Sequence, residues 1–307
     1  MTKLERIICS WPPIAFVIRK SKKLVLPRFG GLALYDVLHF FRQQIQKIGL
    51  QERAAAISFN VIMSIPPALI FLCTLIPYFP ISKQFKLALY ALVKEVTPNQ
   101  KVSSFIIQFI QDFLETPRTG LLSFGFLLII FYSSNAVMGI MRSFDRSFIQ
   151  RKRKNFIHYR WHAIRLTCIL IALVIATIAA LVTQRAIEHW LHINSSTGKF
   201  IVQMLRWVCI IALTFYSIAF IYKYGPSVHK RWPLLSPGSI LSTTLMVFTT
   251  GIFGYWVNHF ANYNKLYGTI GTVLILMLLI FINALILLIG FELNASIAHL
   301  EPKKTYA

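Results

Sequence analysis

Apolar residues in this chain gather into runs of about 20 with few or no charges, the length a helix needs to cross roughly 30 Å of hydrocarbon. Six such runs are predicted as membrane spans, at about 54–76, 121–141, 163–183, 201–222, 239–259 and 270–294. The first holds Ser64, Pro66 and Pro67. Each proline lacks an N–H and crowds the carbonyl four residues back, so a kink or split is predicted near Ile62–Pro67. Ahead of it Leu34, Val37, Leu38, Phe41, Ile45 and Ile48 recur at helical spacing, with Arg42, Gln43 and Lys47 on the other side. That pattern predicts an amphipathic helix that lies at the interface or covers the span ends. Residues 84–96 and 102–114 read as two further amphipathic helices, resting on the outer surface.

Composition agrees with the pattern. The 307 residues are 56% hydrophobic and only 14% charged, against about 25% charged in soluble domains, and mean hydropathy is +0.62. The fold class is therefore all-α, a polytopic transmembrane bundle of about six spans with interfacial amphipathic helices. Three regions are expected: a basic cytoplasmic segment at 1–32, a membrane domain at 33–300 and a cytoplasmic tail at 301–307. The net charge of +22 would suit nucleic acid in a soluble protein. In a membrane protein, basic loops are retained in the cytoplasm and drawn to anionic headgroups, so nucleic-acid binding is not expected.

Orientation follows from where Lys and Arg fall. Ten lie in residues 1–53, and seven crowd the connection after span two: Arg142, Arg146, Arg151, Lys152, Arg153, Lys154 and Arg160. Connections on the other side are sparse in them. Both termini are expected in the cytoplasm. The short apolar stretch Trp11–Ile18 contains Pro12 and Pro13 and does not read as a cleavable signal. Cys9, Cys73, Cys168 and Cys209 are isolated in sequence and read as small core residues.

Polar residues inside spans are costly in lipid and point to a bundle interior or cavity. Asn135, Gly139, Arg142 and Arg146 form one helical stripe in span two, and Asp145 follows Arg142 by three residues, a spacing that permits pairing. Gln203, Arg206, Ile210, Thr214 and Ser217 form another in span four, with Arg206 near enough to the outer end to snorkel. Asn283, Leu287, Gly290 and Asn294 share a side of span six; Glu292 points almost opposite Asn283. With Asn60, these supply a polar cavity or headgroup site of Asn60, Asn135, Arg142, Asp145, Arg146, Arg206, Asn283 and Asn294. The alternative is interhelical bonding with small residues permitting close approach, a pattern span five also carries at Ser239, Thr243, Thr250 and Gly254.

Catalytic chemistry finds little support. Metal-assisted phosphodiester cleavage needs clustered carboxylates or histidines, and the ten acids are spread singly. His158 with His162, and Glu188 with His189 and His192, lack a convincing third ligand. No phosphate loop, nucleophile elbow or dinucleotide fingerprint occurs, so neither a metal nor a cofactor is expected.

Four stretches, taken in order, resemble the YihY/BrkB family of bacterial inner-membrane proteins, formerly labelled ribonuclease BN. They are Ala54–Asn60 running to Ser64-Ile65-Pro66-Pro67; Ser133–Ala136 running to Arg142-Ser143-Phe144-Asp145; Tyr224-Gly225-Pro226 with Pro237-Gly238-Ser239; and Tyr267–Gly271 with Gly290–Ala295. Within them Pro66, Pro67, Pro226, Gly238, Gly268, Gly271 and Gly290 are read as helix breaks or structural motif positions. The sequence departs from the family pattern at Asn60 and Asp145, where tyrosine and asparagine are expected. The resemblance implies a six-span inner-membrane protein linked to envelope integrity and, in some relatives, to serum resistance. Together with the polar stripes it suggests that the chain binds or translocates a lipid or other amphiphile, with phosphate near Arg142 or Arg146. A non-catalytic scaffold, with an envelope protein or a second copy as partner, is the alternative; ribonuclease activity ranks last.

Overall fold

A computed structural model describes residues 31–47, 49–75, 119–147, 155–190, 196–227, 232–259 and 263–300, with isolated helical positions at 104, 107, 108 and 111. Among them lie seven α-helices and no strand: α1 (Leu34–Lys47), α2 (Leu50–Leu75), α3 (Thr119–Asp145), α4 (Phe156–Trp190), α5 (Ser196–Tyr224), α6 (Pro237–His259) and α7 (Tyr263–Leu300). Apart from those isolated positions, the two outer helices expected at 84–96 and 102–114 lie outside the described residues, as do the segments 1–30 and 301–307.

Among the described residues, five helices are long and apolar enough to cross a membrane, through Leu50–Phe71, Gly120–Asp145, Phe156–Thr177, Phe200–Tyr224 and Val273–Leu300. The chain is thus a helical membrane bundle. The remaining expected span, α6, is helical over 23 residues, about 35 Å at 1.5 Å per residue. Serine, threonine and glycine dilute its apolar character. Two of its hydroxyls are satisfied within the helix, Thr243 bonding the Ser239 carbonyl at 2.8 Å and Thr244 that of Ile240 at 2.9 Å. A hydroxyl that bonds its own helix can sit at membrane depth.

The chain separates into two compact units, one of residues 1–58 and 137–307, the other of 59–136. In the smaller unit, of the kink or split expected at the prolines, the split does not occur: α2 runs as one helix through Pro66 and Pro67. Two consecutive prolines remove only two N–H donors, and the turns on either side keep their own bonds. Nearby, the Phe71 and Phe126 rings pack 5.7 Å apart. A side chain at Gly125 would come within 3.5 Å of the Phe71 Cα, so the two helices approach closely there.

In the larger unit α4 packs on α5, α5 on α6, α6 on α7, and α1 on α7. The amphipathic pattern of α1 has its reason here: Val37 is fully buried with Leu293 and Ile297, and Leu34 and Phe41 close over them. Gly49, at φ +61°, makes the turn from α1 into α2, a left-handed conformation that favours glycine. Many outward positions of the long helices are apolar: Val174, Ile175, Leu205, Val208, Phe248 and Leu274 are all exposed. In water such a surface would drive association; in lipid it is the ordinary contact. Cys168 and Cys209 are exposed on this surface, which corrects their reading as core residues. Lipid is as apolar as a core, so their apolar neighbours in sequence did not distinguish the two.

Candidate functional site

At one end of the larger unit, three helices are tied by a buried charge pair. Arg53, in the first turn of α2, is 2% exposed, and Glu292 of α7 is 0% exposed. The Arg53 Nη1 donates to Glu292 Oε1 at 3.0 Å. Its Nη2 donates to the Ser147 Oγ at 3.1 Å and also to the Ser143 carbonyl. The Ser147 hydroxyl in turn donates to Glu292 Oε1. The Ser143 contact is a helix cap. Beyond the end of α3 the Ser147 N–H bonds the Phe144 carbonyl at 3.1 Å, and the guanidinium satisfies the Ser143 carbonyl that this leaves over. A guanidinium suits the task because its planar fork serves several acceptors at once.

Aromatic rings pack beside the pair. Phe144 stacks on Phe291 at 3.7 Å between centroids, with Tyr222 and Trp232 edge-on at 5.9 and 5.3 Å from Phe291. Arg53 Nε and Glu292 Oε2 have no hydrogen-bond partner among the described residues. A buried charge so held fixes the register of its helices, since any slip strands it.

Three further devices secure the same part of the bundle. Asp145 accepts the Ser227 N–H at 2.8 Å and the Tyr159 hydroxyl at 3.4 Å, joining the end of α3 to α4 and to the turn after α5. That turn is built from Gly225 and Pro226. A side chain at Gly225 would strike the Ile221 carbonyl at 2.4 Å, and Pro226 cannot continue the helix. Finally, Ser236 caps α6. Its Oγ accepts the Ser239 N–H at 3.2 Å while Ser239 Oγ accepts the Ser236 N–H at 3.1 Å, with Pro237 in the first helical position.

Between α6 and α7 the seam is glycine on glycine. A Cβ on Gly238 would lie 2.0 Å from the Gly290 carbonyl oxygen; one on Gly290 would lie 1.9 Å from Ser242 Oγ and 2.6 Å from the Gly238 carbonyl oxygen. Asn294 Oδ1 accepts the Gly238 N–H at 2.8 Å, and its Nδ2 donates to Ser236 Oγ at 2.8 Å. The Tyr222 hydroxyl donates to the Leu287 carbonyl at 2.7 Å and shares a 2.6 Å bond with Ser242. These are packing roles of the kind small and hydroxyl residues play between helices.

The polar residues singled out from sequence therefore divide. Asn294 and Asp145 are buried and fully engaged in structure. Arg142 and Arg146 stand exposed at the end of α3, while Met141, Ser143, Phe144, Asp145 and Ser147 beside them are buried. The expected pairing of Arg142 with Asp145 is corrected, because that carboxylate is turned to Ser227 and Tyr159. Among the described residues neither arginine has a carboxylate within ion-pair distance. Arg206 is half-buried, its guanidinium 5.5 Å from the Trp207 ring centroid, and Thr214 and Ser217 bond back to Ile210 and Leu213. Asn283 is half-buried, and its Oδ1 has no partner among the described residues. Asn60 and Asn135 are half-buried and belong to the smaller unit.

Among the structural positions, Gly268 and Gly271 lie within the continuous α7 and do not break it, and of the pair Thr250 and Gly254 both are exposed. His162 Nε2 lies 2.6 Å from the Tyr224 carbonyl and caps α5. The side chains of Glu188, His189 and His192 lie outside the described residues. No group of three metal-ligating side chains occurs among the described residues.

Sequence reasoning missed Arg53, Ser143 and Ser147, and it set Glu292 aside. One signal was available. Glu292 is the sole acid in the 38 residues of α7, a helix long and apolar enough to cross a membrane. A lone carboxylate in so apolar a helix requires a buried cation.

Comparison with known proteins gives this arrangement a family. The ribonuclease-like protein YfkH of Bacillus subtilis (strain 168) is 24% identical over 248 residues, covering 80% of this chain and 89% of YfkH. UPF0761 membrane proteins of Laribacter hongkongensis and Aliivibrio fischeri are 26% and 22% identical, covering 90% and 87% of this chain and 63% and 84% of their own. The chain thus spans less than two thirds of the length of some of these relatives. No solved structure matches it. The family described as virulence factor BrkB matches residues 41–306, and the chain belongs to that family.

Proposed function

We propose that this protein is a non-catalytic component of the bacterial inner membrane that binds an anionic lipid or similar amphiphile at its basic end, in the service of envelope integrity. The observation that carries the reading is the exposure of Arg142 and Arg146 at the end of α3, with no carboxylate partner among the described residues. Two buried acids, on α7 and at the end of α3, are otherwise engaged: Glu292 holds Arg53, and Asp145 holds Ser227 and Tyr159. Two guanidiniums on a rigidly held helix end therefore retain their charge for an external anion, which they bind through charge-assisted hydrogen bonds. The same bias of basic residues supports placing this end, and both termini, in the cytoplasm.

The test is native mass spectrometry of protein extracted with its surrounding lipid, comparing wild type with the Arg142→Ala/Arg146→Ala variant. A discrete anionic lipid retained by wild type and lost from the variant is expected. Equal lipid in both samples sinks the reading. A scaffold is the second reading, supported by Gly251 and Gly254 of α6, which no side chain or backbone of the described residues approaches within 4 Å and where a partner helix would fit. A stoichiometric protein partner in both samples, without specific lipid, would favour it.

A further inference from the structure

The ion pair of Arg53 and Glu292 does not fully satisfy its own polar atoms. Glu292 Oε1 takes two donors, the Arg53 Nη1 at 3.0 Å and the Ser147 hydroxyl, while Oε2 takes none among the described residues. A carboxylate oxygen has room for two donors, so one half of this buried charge is unserved. One turn further along α7 stands Ser296. It is 0% exposed, and its Oγ likewise has no hydrogen-bond partner among the described residues. Residues four apart share a helix face, so Ser296 lies on the side of α7 that carries Glu292.

Ser296 departs from the habit of hydroxyls in this bundle. Ser58, Thr167 and Thr243, also buried, each bond the carbonyl four residues back in their own helix, at 2.7, 2.8 and 2.8 Å. That bond is available to a serine within any helix, yet the Ser296 hydroxyl does not make it. Nor does it reach Glu292 Oε2 directly. Two buried oxygens on one face, one of them charged, thus have unused hydrogen-bonding capacity. Leaving such groups unmet costs more than an ordinary hydrogen bond returns, most of all on a charge. Folded proteins meet that need with ordered water.

We propose that Glu292 Oε2 and Ser296 Oγ bind one internal water molecule, which completes the solvation of the ion pair. Charge decides the class of ligand. Arg53 already neutralises Glu292, so a metal cation at Oε2 would add an unbalanced positive charge beside a guanidinium, and an anion would face the carboxylate. The occupant is therefore neutral, and it must donate to Oε2. Water donates there with one proton and exchanges a second bond with the Ser296 hydroxyl. Its role is to let a charge with one bare oxygen remain buried where α2, α3 and α7 meet.

The experiment has two readouts on the full chain. Cryo-electron microscopy in lipid nanodiscs, at a resolution that shows ordered water, should place a peak about 2.7–3.2 Å from both Glu292 Oε2 and Ser296 Oγ. Reversible unfolding by SDS then compares Ser296→Ala with Ser58→Ala, which removes a hydroxyl bonded only to its own helix and carries the same gain in helix propensity. With water bound, Ser296→Ala raises the unfolding equilibrium constant about fivefold over Ser58→Ala, the worth of one hydrogen bond. A Ser296→Ala variant as stable as Ser58→Ala, or more so, overturns the site, because an unpartnered hydroxyl costs nothing to remove. A map in which Ser296 Oγ bonds Glu292 Oε2 or its own helix directly overturns it too. Stabilisation by sodium or potassium ions in wild type that is lost in Ser296→Ala would identify the occupant as a cation and refute water.

Discussion

Arg53→Met should destabilise the bundle by about 3–5 kcal/mol, the usual cost of removing one partner of a buried ion pair. The structure shows why the cost belongs near the upper end. Arg53 serves Glu292, Ser147 and the Ser143 carbonyl at once, and at 2% exposure no water replaces it. Its loss leaves Glu292, wholly buried, with only the Ser147 hydroxyl on Oε1. Glu292→Leu, made alone, strands the guanidinium instead and should cost a similar amount. Making both changes removes the unpaired charge and leaves only a neutral carbonyl and hydroxyl to be satisfied, a penalty of about 1–3 kcal/mol. The two singles and the double thus predict a coupling of about 3 kcal/mol or more, far above the few tenths found for independent sites. Reversible unfolding by SDS titration in mixed micelles measures all three. Exchanging the pair, as Arg53→Glu with Glu292→Arg, should not rescue, because a carboxylate at position 53 would face the Ser143 carbonyl. Single variants within about 1 kcal/mol of wild type, or a double whose cost equals their sum, would refute the reasoning.

The glycine seam allows a sharper contrast. Gly290→Ala should cost about 3 kcal/mol or more in the same unfolding assay, since its Cβ would overlap Ser242 Oγ and the Gly238 carbonyl; Gly251→Ala, which meets nothing within 4 Å, should be neutral or stabilising by up to about 1 kcal/mol. Tyr222→Phe should cost only about 1 kcal/mol, because one hydroxyl is lost and interhelical bonds in membranes are modest. Asn294→Ala should cost about 1–3 kcal/mol, having left the Gly238 N–H without its acceptor. Asp145→Ala should weaken the turn after α5 by about 1–3 kcal/mol while sparing bound lipid, a result native mass spectrometry checks directly.

Much of the fold was legible in one dimension because lipid imposes a one-dimensional rule. A segment must be about 20 apolar residues long and must satisfy its own backbone, and the charge-free runs report both conditions. The amphipathic α1 was legible for the same reason, Val37, Leu34 and Phe41 sharing the face that meets Leu293 and Ile297. The charged end was harder. Arg53 lies 239 residues from Glu292, and no helical period connects positions on different helices. Sequence spacing instead suggested the local partner, Asp145 for Arg142, since three residues is the separation that faces side chains on one helix.

Tertiary structure reassigned those charges. With α4 and the turn after α5 packed against the end of α3, Asp145 finds a fixed N–H and a hydroxyl, and Arg142 is left facing outward. Glycine followed the same division. Gly238, Gly251 and Gly290 look alike along the chain, yet only the first and last stand where two backbones nearly touch. The sequence by itself determined which stretches enter the membrane and which positions are polar there, because burial in lipid depends on composition alone. Which polar groups meet, and which charges remain unneutralised, was decided only by helix packing, because that depends on distances no sequence separation encodes.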